Sequence, residues 1–282
     1  MGCGGSRETE YNEFEEMICQ LEIKLGFNKI DSDKIDEIFK RYSLSNKMSS
    51  SQFMTACREL KLSNEYGHLE HPVTKFFNSF KRGKTFIQRK LSALGVLLGR
   101  GDYKEKAKVL FKIYDDSKDG KLDIMEVRNM LDDIIEIGLI FLPTFALNSV
   151  EDDNFEQELI KFNKKLFNIQ YSVKNFFEIV IMRKDDGNEA EAAPPIEFVE
   201  GPECDDPKVK KKKRKPARQV SRYQILEINL EQFIEKFEKK NMHNLCNAHK
   251  LRRMALEFYS QTVAPRELVK DYILESSKSK TS

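Results

Sequence analysis

The chain has 282 residues, 40% of them apolar, with 20 Phe and no Trp, ample to bury the core of one large domain or two ordinary ones. A formal charge of only +2 excludes a globally basic nucleic-acid binder, and five scattered cysteines (Cys3, Cys19, Cys57, Cys204, Cys246) form no disulfide framework and favour a reducing compartment. The longest apolar run, residues 137–147, is broken by Pro143 and falls far short of the roughly 20 residues that span a bilayer.

Residues 1–29 read as a lipid-anchored segment followed by a first helix. Met1-Gly2-Cys3-Gly4-Gly5-Ser6 fits the N-myristoylation pattern, which needs a free Gly2 amine after removal of Met1 and a small hydroxyl residue at Ser6. It lacks the apolar core of a secretory signal. Cys3 suits palmitoylation, and a second chain matters because one myristoyl group binds membrane only at about 10⁴ M⁻¹. The alternative is a frayed Gly-rich end.

Four strings of one pattern then punctuate the chain: an apolar residue followed four and five positions later by a polar residue and a hydrophobe. They are Met48…Gln52-Phe53, Phe86…Lys90-Leu91, Leu122…Glu126-Val127 and Ile228…Gln232-Phe233, at successive spacings of 38, 36 and 106 residues. Each suits the end of a loop and the start of a helix, although such strings also arise by accident. Residues 30–100 hold the first two units, whose loops are contracted: Phe39 to Met48 and Phe77 to Phe86 are nine residues apart, against eleven from Phe111 to Leu122. Ser43, Ser45, Lys47 and Gln52 occupy the first loop; Lys81, Arg82, Lys84 and Lys90 crowd the second with charge that repels a cation. Neither is expected to bind one, and both are expected to pair structurally.

The third unit, within residues 101–183, is different. Residues 115–126 read Asp-Asp-Ser-Lys-Asp-Gly-Lys-Leu-Asp-Ile-Met-Glu and fill every slot of a twelve-residue loop for Ca²⁺, a hard cation that takes six to eight oxygens at about 2.3–2.6 Å. Asp115, Ser117 and Asp119 take positions 1, 3 and 5. Lys121 at position 7 offers its backbone carbonyl, Asp123 at position 9 acts directly or through water, and Glu126 at position 12 reaches back with both oxygens. Gly120 permits the sharp turn. Ala107, Leu110, Phe111 and Tyr114 before the loop, and Val127, Met130, Leu131 and Ile134 after it, recur at helical spacing. The unit is an EF-hand; the bland alternative is an acidic surface turn.

Residues 137–147 suit either core or the rim of a groove. Within 155–182, Leu159, Phe162, Leu166 and Phe167, then Phe176, Phe177 and Val180, suggest two amphipathic helices, from which the entering helix of the fourth hand is drawn. Residues 184–222 are rich in Pro, Glu, Ala and Lys and are expected to be a disordered insert. Its charge is segregated: nine acids and no base over 185–206, then Lys208, Lys210, Lys211, Lys212, Lys213, Arg214, Lys215 and Arg218 with no acid. The basic run reads as a membrane patch, a nuclear localisation signal or a solvated linker, and phosphorylation at Ser221 would act on it as an electrostatic switch. Residues 223–282 hold the remnant of the fourth hand, where Gln232 replaces the bidentate Glu, and further helices. One is expected over 243–259, with Leu245, Ala248, Leu251, Met254, Ala255 and Phe258 inward, as core or lying in the module's own groove. His243, Cys246 and His249 recur at intervals of three, a weak zinc signal if His68 or His71 joins them.

The succession Leu97-Leu98-Gly99-Arg100-Gly101, Lys106, Leu110-Phe111-Lys112-Ile113-Tyr114-Asp115, Asp119-Gly120-Lys121-Leu122, Glu126-Val127 and Met130-Leu131 resembles the four-EF-hand calcium sensors of the calcineurin B-like and neuronal calcium sensor group, over roughly residues 30–138. The resemblance implies a mainly α fold of two paired EF-hands around a hydrophobic groove for a partner helix, and a myristoylated Gly2. Here three hands are degenerate. Glycine-rich phosphate loops, kinase motifs, a nucleophile elbow and a Cys/His nucleophile pair are all missing, so no enzyme is expected. The function expected is calcium binding at Asp115, Ser117, Asp119, Lys121, Asp123 and Glu126 in a sensor or adaptor held to the cytoplasmic face of a membrane through Gly2 and Cys3, regulating a protein target; without lipid it would sit in cytoplasm or nucleus. The alternative is a structural or regulatory subunit of a larger complex, calcineurin B-like for example, in which the ion is structural.

Overall fold

The computed structural model describes residues 6–62, 71–183 and 227–262, with side chains from residue 13. Gly2, Cys3, His68, Ser221 and the insert with its basic run lie outside the described residues. Those described are mainly helical, as expected.

Helix α1 (Ser6–Leu25) ends at Gly26, where φ is +88°, and a 3₁₀ turn (Phe27–Lys29) leads into α2 (Ser32–Arg41), which buries Ile35, Ile38 and Phe39 as one stripe. Strand β1 (Lys47–Met48) precedes α3 (Ser50–Glu59). Helix α4 (Pro72–Asn78) carries Pro72 at its first position, where the missing N–H costs nothing. Strands β2 (Lys81–Arg82) and β3 (Thr85–Ile87) form a tight hairpin turning at Gly83, φ +66°. Then come α5 (Gln88–Leu98), α6 (Tyr103–Tyr114), β4 (Lys121–Asp123), α7 (Ile124–Glu136), a π-helical segment (Ile137–Phe141), α8 (Leu142–Leu147) and α9 (Asp153–Met182). After the insert follow β5 (Glu227–Asn229), α10 (Leu230–Glu238), a 3₁₀ turn (Met242–Cys246) and α11 (Ala248–Thr262).

The strands form two small antiparallel sheets, ordered β1-β3-β2 and β4-β5. Met48 lies opposite Phe86 and Leu122 opposite Ile228; all four are fully buried. Each string found in the sequence therefore runs from a strand into a helix, with Gln52, Lys90, Glu126 and Gln232 each third in its helix. In α3, α7 and α10 that residue closes a capping box with Ser49, Asp123 and Asn229 respectively. Helix α5 has Ile87 at its cap position and no side-chain cap. Asn46 of the other loop supplies one: its backbone carbonyl accepts from the Gln88 N–H (3.0 Å) and its side-chain oxygen from the Arg89 N–H (2.7 Å).

One hydrophobic cluster runs through all the described segments. Phe53 stacks on Phe86 at 4.2 Å, and Phe14 of α1 packs on Phe155 and Phe162 of α9 at 5.0 and 5.5 Å. Helix α11 packs along α9 and the π segment, where Leu251 Cδ2 would stand 2.8 Å from a Cβ placed on Gly138.

Three expectations are corrected. Residues 155–182 form one helix, α9, because no Gly or Pro interrupts them and Leu159, Phe162, Leu166, Ile169, Val173 and Phe176 make a single unbroken inward stripe; Phe167 points out, 45% exposed. The helix expected over 243–259 breaks at Asn247, extended at φ −149°, whose side chain accepts from the Lys250 N–H and so starts α11 anew. Tyr259 is buried more deeply than Phe258. That break also separates His243 and Cys246 from His249: His243 lies against the Tyr103 ring and Cys246 donates to the Tyr103 carbonyl. Of the two readings of 137–147, core prevails, with Leu139, Leu142 and Phe145 buried. No described helix is long and apolar enough to cross a membrane.

Candidate metal site

The loop at 115–126 is built between α6 and α7. Asp102 and Glu105 cap the start of α6 reciprocally, and the helix ends at Asp115, whose N–H donates to the Phe111 carbonyl. The turn needs two left-handed residues, Lys118 (φ +58°) and Gly120 (φ +77°). A Cβ on Gly120 would meet nothing within 4 Å, so its requirement is backbone conformation rather than space.

The loop's acids turn inward onto its own amides. Asp115 Oδ2 accepts from the Gly120 N–H (3.2 Å) and its Oδ1 from the Ser117 hydroxyl (3.2 Å), while Asp119 Oδ1 accepts from the Lys121 N–H (2.9 Å). Glu126 is the hub. Its Oε1 accepts from the Asp116 and Ser117 N–H groups at 2.9 and 3.1 Å, and its Oε2 from the Asp123 N–H at 3.0 Å. A carboxylate from the first turn of α7 thus spans the loop to its opposite side. Glu126 is buried, while Ser117, Asp119 and Asp123 are exposed. Lys121 directs its ammonium outward to Glu227 at 2.8 Å, which leaves its carbonyl as its contribution to the loop.

Every donor in this set is a hard oxygen, the chemistry of Ca²⁺ rather than of a thiolate-loving metal. Asp115, Ser117, Asp119, Lys121, Asp123 and Glu126 all lie between the end of α6 and the first turn of α7. In the observed geometry the carboxylates engage amides. Among the described residues, the trio of His, Cys, Asp or Glu ligand atoms lying within 4.8 Å of one another is Glu15, Cys19 and His249, outside the loop.

Two cations of α5, Arg89 and the Lys90 already noted in the sequence, tie the loop and α7 to the rest of the molecule. Arg89 of α5 reaches Asp116 (3.0 Å) in the loop and Asp133 (3.2 Å) on α7, with its guanidinium over the Tyr114 ring. Tyr114 donates to Asp133 at 3.0 Å, and burial pushes its hydroxyl pKa well up. Lys90 pairs with Asp133 and Glu136, so two of the charges beside the second loop are matched by acids of α7. Lys81 sits 4.7 Å over the Phe86 ring.

A second buried polar cluster joins α1 to α11. Arg252, fully buried, donates to both Glu15 oxygens at 2.9 Å and to Glu22 at 2.7 Å. The one sequence signal for it is position: Arg252 falls on the stripe of Ala248, Leu251, Ala255 and Tyr259 that faces the core.

Comparison with family models, with curated proteins and with solved structures finds no match to this chain.

Proposed function

We propose that this chain is a calcium-binding regulatory protein built from two pairs of EF-hands, three of them degenerate, in which the loop at 115–126 alone takes Ca²⁺ and biases the packing of the third hand against the fourth. The observation that carries the reading is the joint position of Glu126. It is the twelfth loop residue, it caps α7, and it bonds across to positions 2 and 3 beside a strand that faces β5. An ion that draws this carboxylate inward competes with those amide contacts and acts on α7 directly. The registers Met48 to Phe86 and Leu122 to Ile228 support the pairing of first with second and third with fourth hands. One ion can shift the packing only by its difference in affinity for the two arrangements. The reading extends to a lipid anchor at Gly2 and Cys3, with 208–218 as an accessory basic patch, and to a helical protein target.

A calorimetric calcium titration of the intact chain and of Glu126→Gln tests it. The expected stoichiometry is about one, and the substitution abolishes the heat; a second site of comparable affinity would mean that the degenerate hands bind after all.

A second reading, a subunit in which calcium is structural, is favoured by the burial of the apolar run at 137–147 under α11 and α1. Most of that run, including Leu139, Leu142 and Phe145, is then withdrawn from any target. A sensor binds at about 10⁻⁷–10⁻⁵ M and uncovers apolar surface, so calcium-dependent binding of an apolar dye favours the sensor and its absence the structural role.

A further inference from the structure

Glu15 and Cys19 stand one turn apart on α1, and α11 lays His249 against both. Cys19 Sγ is 3.5 Å from His249 Nδ1 and 3.8 Å from Glu15 Oε1, and His249 Nδ1 is 2.8 Å from the same Glu15 oxygen. A tetrahedral zinc ion with bonds of about 2.3 Å to sulfur and 2.0–2.2 Å to nitrogen and oxygen separates its ligand atoms by about 3.5 Å (S to N or O) and about 3.3 Å (N to O). The two sulfur separations are already close to those edges. The third needs the imidazole to swing away by about half an ångström, and His249 can do so because its side chain is 41% exposed.

We propose that Glu15, Cys19 and His249 form a zinc-class transition-metal site that clasps α1 to α11. The fourth position opens into an adjoining cavity of about 120 Å³, lined by Cys19, Glu22, Asn28, Asn247 and His249 among others, where water can complete the tetrahedron. The mixed sulfur, nitrogen and oxygen set selects a borderline metal over the hard Ca²⁺ of the loop. As the metal–sulfur bond forms, the Cys19 thiol proton leaves to solvent and no oxidation state changes. Charge supports the site. Glu15 and Glu22 face one guanidinium, a formal excess of one negative charge; adding a thiolate and a divalent cation brings the cluster to neutrality. Arg252 is the outer-shell partner that orients the Glu15 carboxylate through both of its oxygens.

The test is a cobalt titration of the full chain after chelator treatment, read by the thiolate-to-cobalt charge-transfer absorption, followed by displacement with zinc. The expected result is a band at saturating cobalt that zinc removes, is lost in Cys19→Ser, and is unaltered in Glu126→Gln. In His249→Gln the cobalt affinity falls by at least about tenfold, the lower end of what losing even an outer-shell partner costs. Because His249 is partly exposed, that variant keeps its fold, which far-ultraviolet circular dichroism checks. A wild-type chain with no such band, a band that survives Cys19→Ser, or an unchanged affinity in His249→Gln overturns the proposal.

Discussion

Among the described residues, Arg252 is the largest side chain that the fold buries completely. A buried guanidinium is tolerable only while its carboxylates remain, since desolvation of each charge is offset by the others. Arg252→Met should therefore destabilise the protein by about 3–5 kcal/mol, the cost of leaving charge unpaired in an interior, whereas combining it with Glu15→Gln and Glu22→Gln should recover most of the loss. Urea unfolding midpoints check this; equal destabilisation of single and triple variants would show that shape rather than charge governs the site. Beyond the place of Arg252 on an inward stripe, nothing local in the sequence discloses this cluster, because Glu15 and Arg252 are 237 positions apart. The loop at 115–126 is legible for the opposite reason: its donors are consecutive, so the spacing of the chain is the geometry of the site.

At the scale of elements, α2 and α5 approach closely because position 95 has no side chain. A Cβ there would meet Ile35 Cγ2 at 2.5 Å and Ile35 Cβ at 3.1 Å. Alanine would gain about 1 kcal/mol of helix propensity, yet Gly95→Ala should be destabilising on balance, by about 1–3 kcal/mol, through overpacking. In an Ile35→Ala background the same change should become neutral or favourable, as a double-mutant cycle in urea would measure. Helix positions and inward stripes were readable from spacing, and so were the residues that enter the strands. Helix ends were less so. The continuity of α9 depends on the absence of a breaker rather than on any positive signal, and the break at Asn247 depends on a side-chain bond that competes with helix only in context. The capping boxes at Gln52, Glu126 and Gln232 explain why the same polar position recurs even where no ion is expected: the residue starts a helix whether or not it holds a metal.

For the whole molecule, one continuous core means that displacement of α7 is transmitted to α9 and α11 by packing. Membrane attachment, if it resides in the lipid pattern, is carried ahead of α1, which is itself part of that core. Gly2→Ala should then move the protein from the membrane to the soluble fraction of cells without altering calcium binding by the purified chain; fractionation together with calorimetry measures both, and unchanged membrane association would reject a myristoyl anchor.

The clasp between α1 and α11 also sets an order in time. Glu15 is translated 237 residues ahead of its partner Arg252, which at ribosomal speeds of about 5–20 residues per second is a wait of roughly 10–50 s. Throughout that interval Glu15 and Glu22 lack the Arg252 guanidinium that they meet in the finished fold. Helix α1 can meet α8 and α9 well before then, so its charged contacts to α11 close after its apolar ones.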